Sequence, residues 1–129
     1  MIIDSSALAA VLLQEPGAGR FAKAIEGAAA KFMSAPTYLE LCMVIAGRRQ
    51  SESVARVDAF IREADISLLP FTAAAARVAV EAFLKYGKGR HPAGLNFGDC
   101  ISYALAKTEL MPLLFKGNDF RLTDVEAVL

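Results

Sequence analysis

Four acidic residues, Asp4, Glu40, Asp99 and Asp119, occupy positions in the chain from which their carboxylates could share one site. Asp4 and Asp119 each follow a short apolar run of the kind that forms a buried parallel strand. Glu40 and Asp99 fall at the starts of predicted helices. Several carboxylates without His or Cys companions are the ligands that a hard divalent cation such as Mg²⁺ or Mn²⁺ prefers. Because such a cation activates water toward a phosphodiester, these acids predict a nuclease site.

Glu40 is the acid that most needs a compensating partner. The predicted helix around it is apolar on nearly every side, so we expect that helix to be buried. An isolated ionised carboxylate in such a helix is costly unless it is paired, protonated or bound to a cation. Two ordinary explanations stay open, namely a buried pair with Arg48 or Arg49, or a first helical turn that faces solvent.

The other three acids also have ordinary explanations when each is considered alone. Asp4 and Asp99 could cap the helices that follow them, and Asp119 could be a turn residue. Their positions are nevertheless related, because they lie past strand ends or in the first turns of helices. In a doubly wound sheet such positions can converge on one crevice at the carboxyl ends of the strands.

Segments typical of strands and of helices alternate along the chain. Short apolar runs predict strands at residues 1–3, 31–35, 66–70 and 112–115, and residues 122–129 could add a short edge strand. Apolar spacing and end residues predict helices at 5–13, 20–26, 36–50, 51–64, 72–86 and 100–109. This alternation predicts an α/β fold in which a mostly parallel sheet of four to five strands carries helices on both faces.

The composition fits a single domain over residues 1–129, large enough to bury a core. Lys plus Arg and Asp plus Glu both number 14, which excludes the strongly basic surface of a general nucleic-acid binder. Cys42 and Cys100 lie in apolar runs without a CxxC partner, which favours buried, reduced thiols over a disulfide or a zinc site. The start has no charged signal region and no apolar run is of membrane length, so we expect a cytoplasmic protein without a membrane partner.

The acids lie in four stretches through which essentially the whole chain resembles the PIN-domain family, specifically the VapC-type toxins of bacterial toxin–antitoxin pairs. The stretches follow the family's order and are Met1–Leu8, Ser34–Glu40, Leu95–Cys100 and Leu114–Phe120. The third and fourth are the most specific. The resemblance implies a compact α/β/α sandwich and an endoribonuclease that depends on Mg²⁺ or Mn²⁺.

The resemblance also implies a role for each acid. Asp4 and Asp99 would be the direct metal ligands. Glu40 would bind the metal through water, or would orient and deprotonate the attacking water. Asp119 would complete the site or hold a second metal ion.

Polar neighbours of the acids are further candidates. Ser6 matches a position whose hydroxyl is expected to hydrogen-bond within the acidic cluster, although it could equally be a hydroxyl at a helix start. Asn118 is a weaker candidate, because family members vary there. Ser5 departs mildly from the family, which usually has Thr at this position, but the hydroxyl is kept.

An RNA substrate would also need cations, because phosphate contacts supply much of the affinity. His91 is not expected to act as a general base, since Gly, Arg and Pro around it suggest an exposed loop. Each basic residue near Asp99 and Asp119 is an RNA-contact candidate, with a solvated surface charge as the ordinary alternative. These candidates are Lys85, Lys88, Arg90, His91 and Lys116.

The resemblance further implies a homodimer and a cognate antitoxin of the VapB type that blocks the acidic pocket. Apolar helices such as residues 54–64 could form partner surfaces as readily as core. Two other functions stay open, namely a non-catalytic or degenerate PIN-like module that acts through protein complexes, and an aspartate-phosphorylating phosphatase. The phosphatase is disfavoured, because Ser6 stands where such enzymes carry a second aspartate.

Overall fold

The structure is a computed structural model that describes residues 1–48 and 53–129. The predicted helix boundaries near Gln50 and Ser51 lie outside these residues. Within them the chain forms four strands, β1 (Ile2–Ile3), β2 (Phe32–Ser34), β3 (Ser67–Leu69) and β4 (Leu113–Leu114). The helices of the same residues are α1 (Ser5–Leu12), α2 (Ala18–Gly27), α3 (Ala35–Arg48), α4 (Ser53–Glu63), α5 (Ala73–Tyr86) and α6 (Phe97–Thr108).

The described strands form one parallel sheet, as predicted, and their order is β3–β2–β1–β4. Ile2 of β1 pairs with Phe32 on one side and with Leu113 on the other. The chain adds β2 and β3 on one side of β1 and then returns to the opposite side for β4. The topological switch therefore lies between β1 and β4, where α/β proteins open a crevice at the carboxyl ends of the strands.

The C-terminal tail contributes less than a full edge strand. Leu113 forms an isolated parallel bridge with Ala127. The Leu113 amide donates to Glu126 O at 2.8 Å, and the Val128 amide donates to Leu113 O at 3.0 Å. These bonds cover part of the outer edge of β4 without extending the sheet by a strand.

The two faces of the sheet bury separate apolar clusters, because successive strand residues point to opposite faces. Ile3 and Leu114 pack with residues of α1 to α4, including Phe21. Ile2 and Leu113 pack instead with residues of α5 and α6. Helices therefore cover both faces, which confirms the predicted α/β sandwich.

Two further expectations concern the cysteines and the membrane. Cys42 and Cys100 are both buried and free, as predicted. In the part of the chain that the structure describes, no helix combines the length and apolar character needed to cross a membrane.

The expectation that α3 is buried on nearly all sides is wrong. Leu41 and Ile45 are buried, whereas Leu39 and Met43 are 60% and 67% exposed. The helix packs against α1, α4 and α6, and the side bearing Leu39 and Met43 faces outward. Apolar composition does not reveal which side of a helix its neighbours cover, so this error could not be avoided from the sequence.

Two phenylalanines test the assignment of core and surface. Phe21 is fully buried, whereas Phe97 is 84% exposed. We expect Phe21→Ala to lower the free energy of unfolding by about 3–5 kcal/mol, because it removes a buried ring and leaves a cavity. Phe97→Ala should change it by less than about 0.5 kcal/mol. Urea unfolding of both variants checks this expectation, and equal losses would contradict it.

Candidate active site

Asp4 lies directly after β1 and is the N-cap of α1. Its Oδ2 accepts hydrogen bonds from the Ser6 backbone N at 3.0 Å and from Ser6 Oγ at 2.5 Å. Its Oδ1 accepts a hydrogen bond from Ser102 Oγ of α6 at 2.6 Å. Asp4 is only 4% exposed, so these three donors replace the water that burial removes. The helix-cap explanation is correct, and the same residue stands at the topological switch.

Ser6 connects Asp4 to the loop that follows β4. Its Oγ donates to Asp4 Oδ2 and accepts a hydrogen bond from the Lys116 backbone N at 3.0 Å. Lys116 follows β4 by two residues, so this pair of bonds fixes the exit from β4 against the start of α1. The hydroxyl of Ser6 therefore lies inside the acidic cluster.

Glu40 is half-buried on α3 beside the start of α1. Ser5 Oγ donates a hydrogen bond to Glu40 Oε2 at 2.9 Å. Burial raises the pKa of Glu40, the Ser5 hydrogen bond lowers it, and the negative charge of Asp4 raises it. Glu40 is thus held near Asp4 by a hydroxyl rather than by a positive charge.

Gly98 allows the start of α6 to approach Glu40 closely. A β-carbon at position 98 would lie 2.5 Å from Glu40 Oε1 and 2.8 Å from Oε2, which is closer than such atoms approach one another. A larger residue would therefore displace the Glu40 carboxylate from its present position. The sequence did not single out this glycine.

Asp99 occupies the third position of α6, which begins at Phe97 rather than at the predicted Cys100. Asn96 is the N-cap of this helix. Asn96 Oδ1 accepts a hydrogen bond from the Asp99 backbone N, and the Asn96 backbone N donates to Asp99 Oδ2, each at 2.9 Å. Asp99 therefore belongs to a capping box and is not the N-cap itself. Burial raises the pKa of Asp99 to about 6, although the bond from the Asn96 backbone N lowers it.

Asp119 and Asn118 lie on the exposed loop after β4. Gly117 precedes them with a φ of 106°, a left-handed conformation that favours glycine and redirects the chain. The carbonyl oxygen of Asn118 accepts a hydrogen bond from the Arg121 backbone N at 3.0 Å. Asp119 is consequently at the rim of the crevice, whereas Asp4 is at its floor.

The four acids share one electrostatic environment. The negative charges of Asp4, Asp119 and Glu40 all act with burial to raise the pKa of Asp99. In residues 1–48 and 53–129, however, no three His, Cys, Asp or Glu side chains lie close enough to hold a metal ion as they stand. The fold brings the acids within range of one another without forming a closed ligand shell.

Glu15, rather than Glu40, holds the nearby cations. Lys116 Nζ forms an ion pair with Glu15, and Arg48 Nη1 lies 3.4 Å from the same carboxylate. A buried pair of Glu40 with Arg48 is therefore wrong. Arg49, the other expected partner, lies outside the described residues.

Of the remaining RNA-contact candidates, Lys85 lies in the last turn of α5, with its Nζ 4.7 Å from the centre of the Tyr86 ring, and the other three lie in the loop between α5 and α6. Lys88 and Arg90 are exposed, and the Arg90 guanidinium lies 5.5 Å from the centre of the Phe83 ring. His91 Nδ1 accepts a hydrogen bond from the Ala93 backbone N at 3.1 Å. Among the described residues, none of the three loop residues forms a hydrogen bond or an ion pair with the four acids.

Ser102 is a candidate that sequence reasoning missed. It is 1% exposed and donates the hydrogen bond to Asp4 Oδ1. The sequence does contain a signal for Ser102, which is the hydroxyl in the otherwise apolar stretch Cys100–Ala106. It follows Asp99 by three residues, and residues i and i+3 share a helix face. The partner that explains it lies 98 positions away in sequence.

The sequence matches the PIN domain family over residues 1–126, so the chain belongs to that family. A VapC ribonuclease of Mycobacterium bovis is 46% identical over 128 residues, which cover 99% of this chain and 98% of the relative. Ribonuclease VapC of Mycolicibacterium smegmatis is 47% identical, with 99% of each chain covered. The chain therefore belongs with the VapC ribonucleases of the PIN domain family, as its motifs indicated.

Solved structures share the fold over nearly the whole chain. VapC20 of Mycobacterium tuberculosis, a toxin that cleaves the sarcin–ricin loop, gives a TM-score of 0.79 at 15% identity, covering 98% of this chain and 97% of that chain. A toxin–antitoxin complex from Klebsiella pneumoniae gives 0.72 at 18% identity, covering 95% and 92%. At such identities these likenesses support the PIN-like α/β fold alone.

The raised pKa of Asp99 predicts how stability depends on pH in the metal-free protein. Because the folded pKa of about 6 exceeds the ordinary value near 4, the folded protein holds this proton more tightly. The contribution of Asp99 to stability is therefore greatest below about pH 4 and is lost as pH rises through about 6. Asp99→Asn keeps an oxygen for the Asn96 amide and should raise the unfolding free energy at pH 7.5 by on the order of 1 kcal/mol, a value discounted for partial exposure.

Urea unfolding in EDTA at pH 4.5 and pH 7.5 measures this effect. Asp65→Asn is the matched control, because Asp65 is exposed in the turn before β3. The control should keep the pH dependence of the wild type. An Asp99→Asn variant that is less stable than the wild type at pH 7.5 would contradict the predicted repulsion.

Proposed function

We propose that the chain is an Mg²⁺- or Mn²⁺-dependent endoribonuclease that acts as the toxin of a toxin–antitoxin pair. The observation that carries this proposal is the convergence of Asp4, Glu40 and Asp99 beside the topological switch. Their negative charges repel one another, and no Lys or Arg among the described residues forms an ion pair with them. A bound divalent cation would relieve that repulsion.

The chemistry of the donors fits such a cation. Carboxylate and hydroxyl oxygens are hard ligands, which suit Mg²⁺ and Mn²⁺ better than zinc. Mg²⁺ commonly keeps several waters and uses only one or two protein carboxylates together with substrate phosphate. Two acids with water and phosphate would thus suffice, although no three acidic, His or Cys side chains of the described chain are close enough to hold the metal themselves.

Each acid then receives a distinct role. Asp4 and Asp99 would hold the cation, since both are anchored by hydrogen bonds at helix starts. The cation would supply a more acidic water and would offset the charge that develops on the phosphate. Glu40 would orient that water and accept its proton. Its raised pKa and half-buried position suit a general base. Asp119 at the rim would complete the site.

The hydrolysis breaks the bond between phosphorus and the 3′ oxygen of the RNA. The water oxygen would attack phosphorus as its proton passes to Glu40, and the departing 3′ oxygen would take a proton from solvent. The products are a 3′ hydroxyl and a 5′ phosphate. Ser6 supports this chemistry by holding Asp4 Oδ2, and Asn118 lies on the loop that carries Asp119.

Contacts to the RNA backbone are assigned to the loop before α6. Lys88 and Arg90 are exposed there, and His91 would contribute as a hydrogen-bond donor rather than as a base. Lys116 would contribute only after leaving Glu15. Such contacts would orient the phosphodiester over the acids, whereas the choice of RNA depends on its shape.

Exposed apolar grooves support two kinds of protein partner. A groove of about 510 Å³ runs along Leu39, Met43 and Phe97 and reaches Glu40, so we assign it to a VapB-type antitoxin that blocks the acids in the cytoplasm. A second groove of about 460 Å³ between α5 and α6 is lined by Val80 and Phe83. We assign this second groove to another copy of the chain, giving a homodimer.

Cleavage of RNA by the purified, antitoxin-free chain tests the proposed activity. The wild type should cleave total cellular RNA in Mg²⁺ or Mn²⁺ and should stop when EDTA is added. Asp4→Asn should lose at least about 100-fold in rate, because a metal contact contributes several kcal/mol to the transition state. Asp65→Asn, a distant surface change, should cleave as the wild type does.

The ends of the products test the proposed chemistry. Extension of the fragments by poly(A) polymerase would report a 3′ hydroxyl, and ligation would report a 5′ phosphate. Cleavage that persists both in EDTA and in Asp4→Asn would rule out the proposed mechanism.

A further inference from the structure

A chain of three buried hydroxyls leads from the start of α3 to Asp4. Ser34 Oγ lies 2.7 Å from Thr37 Oγ1, and Thr37 Oγ1 lies 3.4 Å from Ser102 Oγ. Ser102 Oγ then donates to Asp4 Oδ1 at 2.6 Å. The three hydroxyl residues are between 1% and 2% exposed, so bulk solvent does not reach them. We call Ser34, Thr37 and Ser102 the hydroxyl relay.

Proton counting assigns one direction to the hydroxyl relay. Each hydroxyl carries a single proton, and Ser102 must use its proton on the Asp4 carboxylate, which has none to give when ionised. Thr37 must therefore donate to Ser102, and Ser34 must donate to Thr37. The Thr37 backbone N completes the sequence by donating to Ser34 Oγ at 3.2 Å. The hydrogen bonds therefore all point the same way, from the Thr37 backbone amide in the first turn of α3 to the Asp4 carboxylate.

The donors leave Asp4 with little remaining capacity. An ionised carboxylate offers about four acceptor positions, two on each oxygen. Oδ2 already accepts from the Ser6 backbone N and from Ser6 Oγ. Oδ1 accepts only from Ser102. One acceptor position therefore remains, and it lies on Oδ1.

We propose that Ser102 and Thr37 are positioning residues that orient the Asp4 carboxylate so that Oδ1 keeps one acceptor position for a divalent cation. This inference rests on the proposed function and extends it to two residues that do not touch substrate. A purely apolar core would not need three hydroxyls here, because each buried polar group is costly when its partner is lost. Their presence is explained by the need to fix one buried acid.

Affinity for Mn²⁺, measured by the electron paramagnetic resonance of the free ion, tests the proposal without reference to catalysis. Ser102→Ala should raise the Kd for Mn²⁺ by about tenfold or more, as expected when a hydrogen bond to a metal ligand is lost. Thr37→Val should raise it in the same direction by a smaller factor. Thr37→Ser keeps the hydroxyl and should restore an affinity close to that of the wild type.

A matched control separates positioning from simple loss of packing. Cys42→Ala also truncates a buried side chain on α3 but lies outside the hydroxyl relay. It should leave the Kd for Mn²⁺ unchanged even if it lowers stability in urea. Ser102→Ala that binds Mn²⁺ as tightly as the wild type would overturn the proposal.

A readout in metal-free protein distinguishes this inference from the proposed function. The amide of Ser6 donates to Asp4 and should shift in the ¹H–¹⁵N spectrum of Thr37→Val but not of Cys42→Ala, because only the former alters the donor to Asp4. If the Ser6 amide shifts in Thr37→Val but the wild type neither binds Mn²⁺ nor cleaves RNA, the proposed function and the metal role of Oδ1 are overturned. An unmoved Ser6 amide would overturn the hydroxyl relay itself.

Discussion

Repulsion between carboxylates gathered at one edge of the sheet is the constraint on which the rest of this structure depends. Burial and the neighbouring acids together raise the pKa of Asp99 to about 6. In the described residues, hydroxyls and backbone amides at helix starts donate hydrogen bonds to Asp4 and Asp99, whereas Lys116 and Arg48 form ion pairs with Glu15. The acids are therefore oriented but not neutralised, and a cation that binds them would stabilise the fold.

The order of the strands places the acids near one another, and the helix starts orient their carboxylates. The switch between β1 and β4 puts Asp4 beside the loop that carries Asp119. Asp4 caps α1 and Asp99 completes the capping box of α6, so backbone amides of two helix starts hold these acids. Helix capping and metal binding are thus not competing explanations, because the same bonds that begin each helix also fix its carboxylate.

Sequence reasoning recovered what depends on local pattern. Alternating segments predicted the parallel α/β sandwich, and short apolar runs placed each described strand. It failed where distant partners decide the outcome. Ser102 and Asp4 are 98 positions apart in the sequence. The exposure of Leu39 and the ion pair between Arg48 and Glu15 also depend on which residues become neighbours when the chain folds. The start of α6 was misplaced because Asn96, not the following Gly98-Asp99, caps it.

The most direct test of a shared cation site is anomalous diffraction from crystals soaked in Mn²⁺. A single cation held by converging acids predicts an anomalous peak within ligand distance of Asp4 Oδ1 and of the Asp99 carboxylate, at about 2.0–2.6 Å. The same soak of Asp4→Asn crystals should lose that peak while the fold is retained. A wild-type map with no peak between these acids, at saturating Mn²⁺, would contradict the shared site.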